Sequence, residues 1–345
     1  MTGISAAGAQ PSQPGPQPYV RDPSANTPTP PGLRFRSRRE EPSPLGKTID
    51  QLCKLYTGRQ IDKFFVDGGA VRAAAALMHT KSVLLLTGFN VEAGMPETDG
   101  PPGTAVLANA LAELGMHVTL VVDQTNEPVM QRCYAQLDPD WKNVDLKVFD
   151  VERGAPSEGL RARNLLSETG ADAVVAVELP GRNVDGIPKN MRGLDIGGFN
   201  APLDAILLEA NVSRANPVTV GVGDGGNEAG MGNLRGIPSA RDGSLMASDV
   251  PAGTAVTAWN SNLGAQAIAA VMLGMSGRIE HLPSGRLLTA VTLAALEAGA
   301  VDGVTRGRVA GEPGEGPGQV TGVDGFALSV HAGNLDYLKQ IAVQL

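Results

Sequence analysis

The sequence contains few cysteines, histidines and aromatic residues. Among 345 residues there are 2 Cys, 4 His, 2 Trp, 4 Tyr and 7 Phe. Cys53 and Cys133 form no CxxC motif and no Cys/His cluster, so neither a disulfide scaffold nor a structural zinc site is supported. The histidines are scattered, which gives no Ser-His-Asp or metal-binding arrangement. Two isolated cysteines fit a reducing compartment, and we predict a cytoplasmic protein.

Positive charge is also scarce, with 28 Lys and Arg against 36 Asp and Glu. Five of the arginines lie within residues 1–45, so the rest of the chain is more acidic still. A nucleic-acid-binding surface would be a basic face, and we therefore predict no nucleic-acid partner. The N-terminus also lacks the apolar stretch of a secretory signal.

Residues 1–45 differ in composition from the remainder. They hold 10 of the 25 prolines and no long apolar run. Such a segment buries too little apolar surface to offset its chain entropy. We predict a disordered, proline-rich tail over 1–45 and one folded α/β domain over 46–345.

The segment Val250–Gly277 has no charged residue over 28 positions and is long enough to cross a bilayer. A spanning helix would carry Pro251, Asn260, Asn262 and Gln266 into or near hydrocarbon, where unpaired polar groups cost several kcal/mol. We interpret the segment as a buried strand followed by a buried, alanine-rich helix, and predict no membrane partner.

Apolar runs of strand length alternate with helical patterns through the folded part. The strands are predicted at Ser82–Phe89, Val118–Asp123, Asp145–Val151, Ala173–Leu179, Val218–Asp224 and Thr254–Trp259. Continuous apolar strands indicate a parallel sheet covered on both sides. The predicted fold is a three-layer α/β structure with a mostly parallel, doubly wound (Rossmann-like) sheet and helices on both faces.

Polar or glycine-rich segments follow four of these strands, at the edge where open parallel sheets bind ligands. Glu97 and Asp99 precede a helix, Glu178 ends a strand, and Asp224 and Glu228 lie in a glycine-rich stretch. These acids are candidates for acid–base catalysis, although Glu97 and Asp99 could simply complement the helix dipole. A Mg²⁺ or Ca²⁺ ion is conceivable near Asp224, but the spacing is not that of an EF-hand. We assign no metal or cofactor.

Arginine is the side chain best suited to hold a substrate carboxylate, because its guanidinium binds both oxygens. Arg182 and Arg192 lie after a predicted strand end, and an internal salt bridge between Arg182 and Glu178 is the alternative. Asn262 is a candidate for binding or for capping a helix. The other predicted binding residues are Asp99, Asp185, Asn190, Gly225, Gly226 and Asn227.

These stretches, in this order, resemble the D-glutamate cyclase family. The matching segments are PETDGPPG (96–103), residues 178–195, GVGDGGNEAGMGN (221–233), SNLG (261–264) and TGVDG (321–325). Leu179 and Leu263 stand where that family usually has Arg and an aromatic residue. The resemblance implies a lyase that cyclises D-glutamate to 5-oxo-D-proline with loss of water.

For that reaction we expect Arg182 or Arg192 to hold the α-carboxylate and the N–H groups of residues 225–227 to stabilise the oxyanion. Asp224, Glu228, Glu97 or Glu178 would be the base and the acid, with Asp224 and Glu228 preferred. The alternatives are a divalent-metal-dependent hydrolase of a small acidic or phosphorylated substrate and a non-catalytic binder of acidic amino acids. Because aromatic residues are few, we expect a polar site.

Overall fold

The computed structural model describes residues 44–312 and 320–345. The predicted tail, 1–45, lies outside the described residues except for its last two, which begin the first helix. The helices are α1 (Pro44–Cys53), α2 (Gly69–Leu77), α3 (Pro101–Glu113), α4 (Glu127–Ala135), α5 (Glu158–Thr169), α6 (Asp204–Val212), α7 (Ser261–Met275), α8 (Gly285–Glu297) and α9 (Leu328–Ala342).

Six strands of the described chain form one parallel sheet. In chain order the strands are β1 (Ser82–Thr87), β2 (Asn90–Glu92), β3 (Met95–Pro96), β4 (His117–Val122), β5 (Val144–Val148), β6 (Ala173–Val177), β7 (Val218–Gly223) and β8 (Thr254–Thr257). The sheet order is β5-β4-β1-β6-β7-β8, and β2 and β3 form a separate hairpin. The predicted three-layer, doubly wound Rossmann-like fold is confirmed. Its topological switch point lies between β1 and β6.

Alternate side chains of the sheet strands point to opposite faces and pack into two hydrophobic cores. In β1, Val83 and Leu85 pack into the larger core, whereas Leu84 and Leu86 pack into the smaller one. The larger core contains residues of α1–α4 and α7–α9, and the smaller one contains residues of α5 and α6. Because the chain leaves β1 toward α3 and leaves β6 toward α6, the two loops diverge and open a crevice at the switch point.

Val250–Gly277 contains β8 and the buried helix α7, as the sequence analysis predicted. None of the described helices is long and apolar enough to cross a membrane. Three features were not predicted from the sequence: the 3-10 turn at Ile61–Lys63, helix α9 and the β2–β3 hairpin.

Candidate active site

A cavity of about 610 Å³ opens at the carboxyl edge of the sheet. Its walls come from the loops that follow β1, β6, β7 and β8, together with residues 56–60 and parts of 303–326. The structure therefore brings the predicted polar segments together at the edge where this fold binds ligands.

Among the described residues, four carboxyl groups line the cavity: Glu97, Glu178, Asp224 and Asp324. The first three were predicted as site residues, and Asp324 was missed although its TGVDG stretch had been noticed. Carboxylate oxygens of Asp99, Asp224 and Asp324 lie within 4.8 Å of one another. Like charges this close disfavour simultaneous ionisation, so the site favours at least one neutral carboxyl group.

Glu178 follows the last residue of β6, directly at the switch point. Its φ of 41° is a left-handed conformation that costs a non-glycine residue energy, and such strain concentrates at functional sites. The side chain is buried, and its Oε2 accepts a hydrogen bond from Ser261 Oγ. Burial raises the pKa of Glu178 well above its usual value, and the charges of Asp224 and Glu228 raise it further.

Glu97 lies in the loop between the β2–β3 hairpin and α3, opposite Gly303. It is 5% exposed, and its carboxyl group has no hydrogen-bond partner among the described residues. Burial raises the pKa of Glu97 well above its usual value, Asp324 and Asp99 raise it further, and Arg59 and Arg306 lower it. A buried carboxyl group without a partner favours its neutral form and is available to donate a proton.

Arg59 joins two of the acids. Its guanidinium is hydrogen-bonded and ion-paired to both Asp224 and Asp324. Burial lowers the pKa of Arg59, but the surrounding carboxylates outweigh this effect and hold it well above its ordinary value. Burial raises the pKa of Asp224, and Arg59 opposes that rise. Arg59 was missed in the sequence because it belongs to no motif and lies far from its partners along the chain.

Asp302 fixes the loop that carries Asp324. Its buried carboxylate accepts hydrogen bonds from the N–H groups of Val304, Thr305, Gly322 and Gly325, at 2.9–3.1 Å. Asp324 also accepts a hydrogen bond from Asn260 Nδ2 at 2.8 Å. The late glycine-rich region thus contributes an acid to the site wall.

Glu228, one of the two preferred catalytic residues, is instead used to hold its own loop. Its carboxylate accepts N–H hydrogen bonds from Asp224 at 3.2 Å and from Gly225 and Gly226 at 2.7 Å. Glu228 does not line the cavity. The N–H groups of Gly225 and Gly226 are therefore taken by Glu228, and the oxyanion role expected for them does not fit this arrangement.

Asp99 and Asn262 form a reciprocal clasp between two helix N-termini. The Asp99 carboxylate accepts hydrogen bonds from the N–H groups of Ser261 and Asn262 at the start of α7. Asn262 Oδ1 in turn accepts from the N–H groups of Gly100 and Gly103 at the start of α3. Burial raises the pKa of Asp99 to about 7, and Asp324 contributes to the rise. Both residues hold the two helices together behind the cavity wall.

Arg182 is not available to a substrate in this structure. Its Nε pairs with Asp204 Oδ2 at 2.7 Å and its Nη2 pairs with Glu158 Oε1 at 2.5 Å, so it joins the start of α6 to α5. The internal salt bridge considered for Arg182 exists, but with these partners instead of Glu178. Burial lowers the pKa of Arg182, but the same two partners outweigh this effect and hold the pKa above its usual value.

The other predicted binding residues separate into two groups. Asn190, Arg192 and Asn227 line the cavity, whereas Asp185 lies in an exposed turn and does not. Asn190 Oδ1 accepts the N–H groups of residues 192 and 194, and Asn227 Nδ2 donates to the Lys189 carbonyl at 2.9 Å. The guanidinium of Arg192 is exposed and has no partner among the described residues.

The cavity is less polar than expected, because aromatic side chains form one of its walls. Tyr56, Trp259 and Phe326 contact one another, with ring centroids 4.9 Å apart for Tyr56 and Phe326 and 5.1 Å apart for Trp259 and Phe326. Phe89 lines the cavity as well. A scarce residue type is thus concentrated at the site.

Two carboxylate groupings have the all-oxygen character that Mg²⁺ or Ca²⁺ prefers: Asp99, Asp224 and Asp324, and Glu178, Asp224 and Glu228. In the first grouping, Arg59 already pairs with two of the three acids. In the second, backbone N–H groups occupy Glu228. Existing partners thus compete with a metal ion in both groupings.

Comparison with known proteins identifies relatives of the chain. The family model described as D-glutamate cyclase-like, C-terminal, matches residues 49–339. The chain is 32% identical over 211 residues to the mitochondrial D-glutamate cyclase of Homo sapiens, a match covering 59% of this chain and 34% of the human protein. The match thus spans about a third of the human protein's length.

Among solved structures, the E. coli tRNA N6-threonylcarbamoyladenosine dehydratase in complex with AMP is 15% identical, with a TM-score of 0.27. The alignment covers 64% of this chain and 98% of that one. A TM-score this low supports no conclusion about fold or function.

Proposed function

The chain belongs to the D-glutamate cyclase-like family, and from this premise we propose that it cyclises D-glutamate to 5-oxo-D-proline with loss of water. The observation that best supports this reaction is the pair of buried carboxyl groups, Glu97 and Glu178, that line one cavity with raised pKa values. A dehydrating cyclisation needs both a proton acceptor and a proton donor.

The chemistry sets three demands on the site. The α-ammonium must lose a proton to become a nucleophile, the γ-carboxylate must be neutralised to become an electrophile, and the leaving oxygen must gain a proton to depart as water. Two carboxyl groups in different environments can divide these tasks, because the environment determines which one holds the proton.

We assign the base to Glu178 and the acid to Glu97. The hydrogen bond from Ser261 Oγ stabilises the ionised form of Glu178, and an incoming ammonium would stabilise it further. Glu97 has no such donor in the part of the chain that the structure describes, so it keeps its proton and delivers it to the leaving oxygen. Asp224 and Asp324, held by Arg59, supply the negative charge that attracts the ammonium.

Arg306 is the guanidinium we assign to the substrate's α-carboxylate. It lines the cavity close enough to Glu97 to influence its pKa. Its only ionic partner among the described residues is the exposed Glu92, at 3.4 Å. A carboxylate inside the cavity would displace so weak a pair at little cost.

The test is to incubate the full chain with D-glutamate or L-glutamate, with and without EDTA, and to follow lactam formation by NMR. Glu97→Gln and Glu178→Gln should each lower kcat by about 10²–10⁴-fold. The exposed Glu168→Gln is the matched control and should leave kcat unchanged. Wild-type turnover in both cavity variants would refute the assignment.

Metal-dependent hydrolysis is the second candidate, because two carboxylate groupings of the described residues, both containing Asp224, offer the oxygen ligands that divalent cations prefer. It predicts loss of activity in EDTA and recovery with Mg²⁺, whereas the cyclase predicts no effect of the chelator. A protein that only binds acidic amino acids would be stabilised by D-glutamate without forming product.

A further inference from the structure

The cavity is larger than a single amino acid fills. Its volume of about 610 Å³ lies in the range of pockets that enclose drug-sized ligands. Besides the acids, its lining includes the aromatic wall and several arginines. D-glutamate placed against Glu97 and Glu178 is too small to fill this volume, so part of the lining would be left without a contact.

Two unpaired guanidiniums lie in this remaining lining. Arg192 and Arg241 are both exposed cavity residues, and neither side chain has an ionic partner among the described residues. Their loops are joined by a hydrogen bond from the Arg241 N–H to the Met191 carbonyl, at 3.2 Å. This bond joins the two backbone segments, and two guanidiniums in the lining of one cavity favour an anionic group such as a carboxylate.

Trp259 adds an unsatisfied donor. It is 3% exposed, and its indole N–H has no acceptor among the described residues, although the residue lines the cavity. Buried polar groups nearly always have a partner. A ligand that packs on the aromatic wall and carries a carbonyl or carboxylate oxygen would provide one.

We propose that the site also accepts γ-D-glutamyl amides whose leaving amine carries a carboxylate, and releases that amine as 5-oxo-D-proline forms. The inference rests on the proposed function, because the glutamyl part would occupy the same acids. The leaving part would lie along Tyr56 and Trp259, with its carboxylate at Arg192 and Arg241.

The reaction balances without a co-reactant. The α-ammonium gives a proton to Glu178, and the nitrogen lone pair forms the new C–N bond to the γ-carbonyl carbon. As the tetrahedral intermediate collapses and the old amide C–N bond breaks, the departing nitrogen takes a proton from Glu97 and the ring nitrogen gives its second proton back to Glu97. The released amine then takes the proton held by Glu178 and leaves as an ammonium, so both carboxyl groups return to their starting states. An amide is uncharged, so the step avoids attack on a carboxylate.

The experiment compares three probes on the wild-type chain: D-glutamate, γ-D-glutamyl-L-glutamate, and the neutral γ-D-glutamyl-L-glutamine amide. Lactam and free amine are measured together by NMR. We expect kcat/KM to be at least about tenfold higher for the acidic dipeptide than for the neutral one. Arg192→Gln and Arg241→Gln should each remove most of that preference by raising KM, while Arg235→Gln, outside the cavity lining, should not.

The outcomes separate the two proposals. Cyclisation of D-glutamate without amine release from the acidic dipeptide would overturn the inference and leave the proposed function standing. Amine release without turnover of D-glutamate would support the inference and overturn the water-releasing reaction. Equal rates for the acidic and neutral dipeptides would refute the role of Arg192 and Arg241. Wild-type behaviour of Arg192→Gln and Arg241→Gln would refute it as well.

Discussion

Removing Arg59 should destabilise the fold in a strongly pH-dependent way. In Arg59→Gln, the carboxylates of Asp224 and Asp324 lose the guanidinium that pairs with both of them. Asp224 is 1% exposed, so its charge cannot be rehydrated without unfolding. Breaking a buried ion pair by removing one partner costs about 3–5 kcal/mol, and we expect this loss in the free energy of unfolding at pH 8.

At lower pH the cost should shrink. Arg59 lowers the pKa of Asp224 against the larger effect of burial, so its removal shifts that pKa further upward. Asp224 then protonates at a higher pH than in the wild type, and a neutral carboxyl group no longer needs the guanidinium. The destabilisation is therefore largest in alkaline solution and falls as the pH drops toward 5.

Urea unfolding followed by circular dichroism at pH 5 and pH 8 measures both effects. The double variant Arg59→Gln/Asp224→Asn should recover part of the loss at pH 8, because the unpaired, buried carboxylate of Asp224 is replaced by a neutral amide. Arg163→Gln is the control, since its exposed pair with Glu209 should be worth at most about 1 kcal/mol. A loss below about 1 kcal/mol at pH 8, or the same loss at both pH values, would refute the reasoning.

Three further predictions use the same unfolding assay. Gly100→Ala should lower the free energy of unfolding more than Gly94→Ala. Both positions have positive φ, but a Cβ at Gly100 would lie 2.9 Å from Glu178 Cβ, whereas the space at Gly94 is open. Equal losses would contradict this, and Gly100→Ala should also lower turnover. Asn262→Ala should cost about 1–3 kcal/mol, because it leaves the buried N–H group of Gly103 unpaired, whereas the N–H group of Gly100 keeps its hydrogen bond to Asp99 Oδ1; a loss below about 1 kcal/mol would argue against the clasp. The raised pKa of Asp99, about 7, means that the folded state binds this proton more tightly than the unfolded state. Its contribution is fully present below about pH 4 and is lost as the pH rises through about 7, so the unfolding midpoint of Asp99→Asn should vary less over that range than that of the wild type.

The sheet was predictable because its signal is local and repeated. Each buried strand is a short apolar run, and each is followed by a helical pattern, so the α/β class and the ligand-binding edge followed from the sequence. Glu97, Glu178 and Asp224 were found by the same rule, since each lies after a strand of that sheet or in the segment that follows it. This rule predicts which residues lie at the ligand-binding edge of the sheet, but it does not predict which side chains pair with one another there.

The partners depend on contacts between distant parts of the chain. Arg182 follows a strand end, yet the chain there turns toward α5 and α6. Its guanidinium is therefore already paired with Asp204 and Glu158 and is not free to bind a ligand. Arg59 reaches the acids because the segment after α1 is anchored at the same edge, where the backbone N–H of Trp259 donates to the Cys53 carbonyl at 2.8 Å. No periodicity in the sequence encodes either contact.

The same excess of carboxyl groups accounts for both the proposed chemistry and its energetic cost. Several acids share a small buried space with one guanidinium paired to two of them, and burial raises the pKa values of Glu97, Glu178 and Asp224. This arrangement disfavours the fully ionised site and favours a protonated carboxyl group within it. Under the proposed function, a substrate ammonium would relieve the repulsion on binding and so stabilise the charge state in which Glu178 is ionised while Glu97 retains its proton.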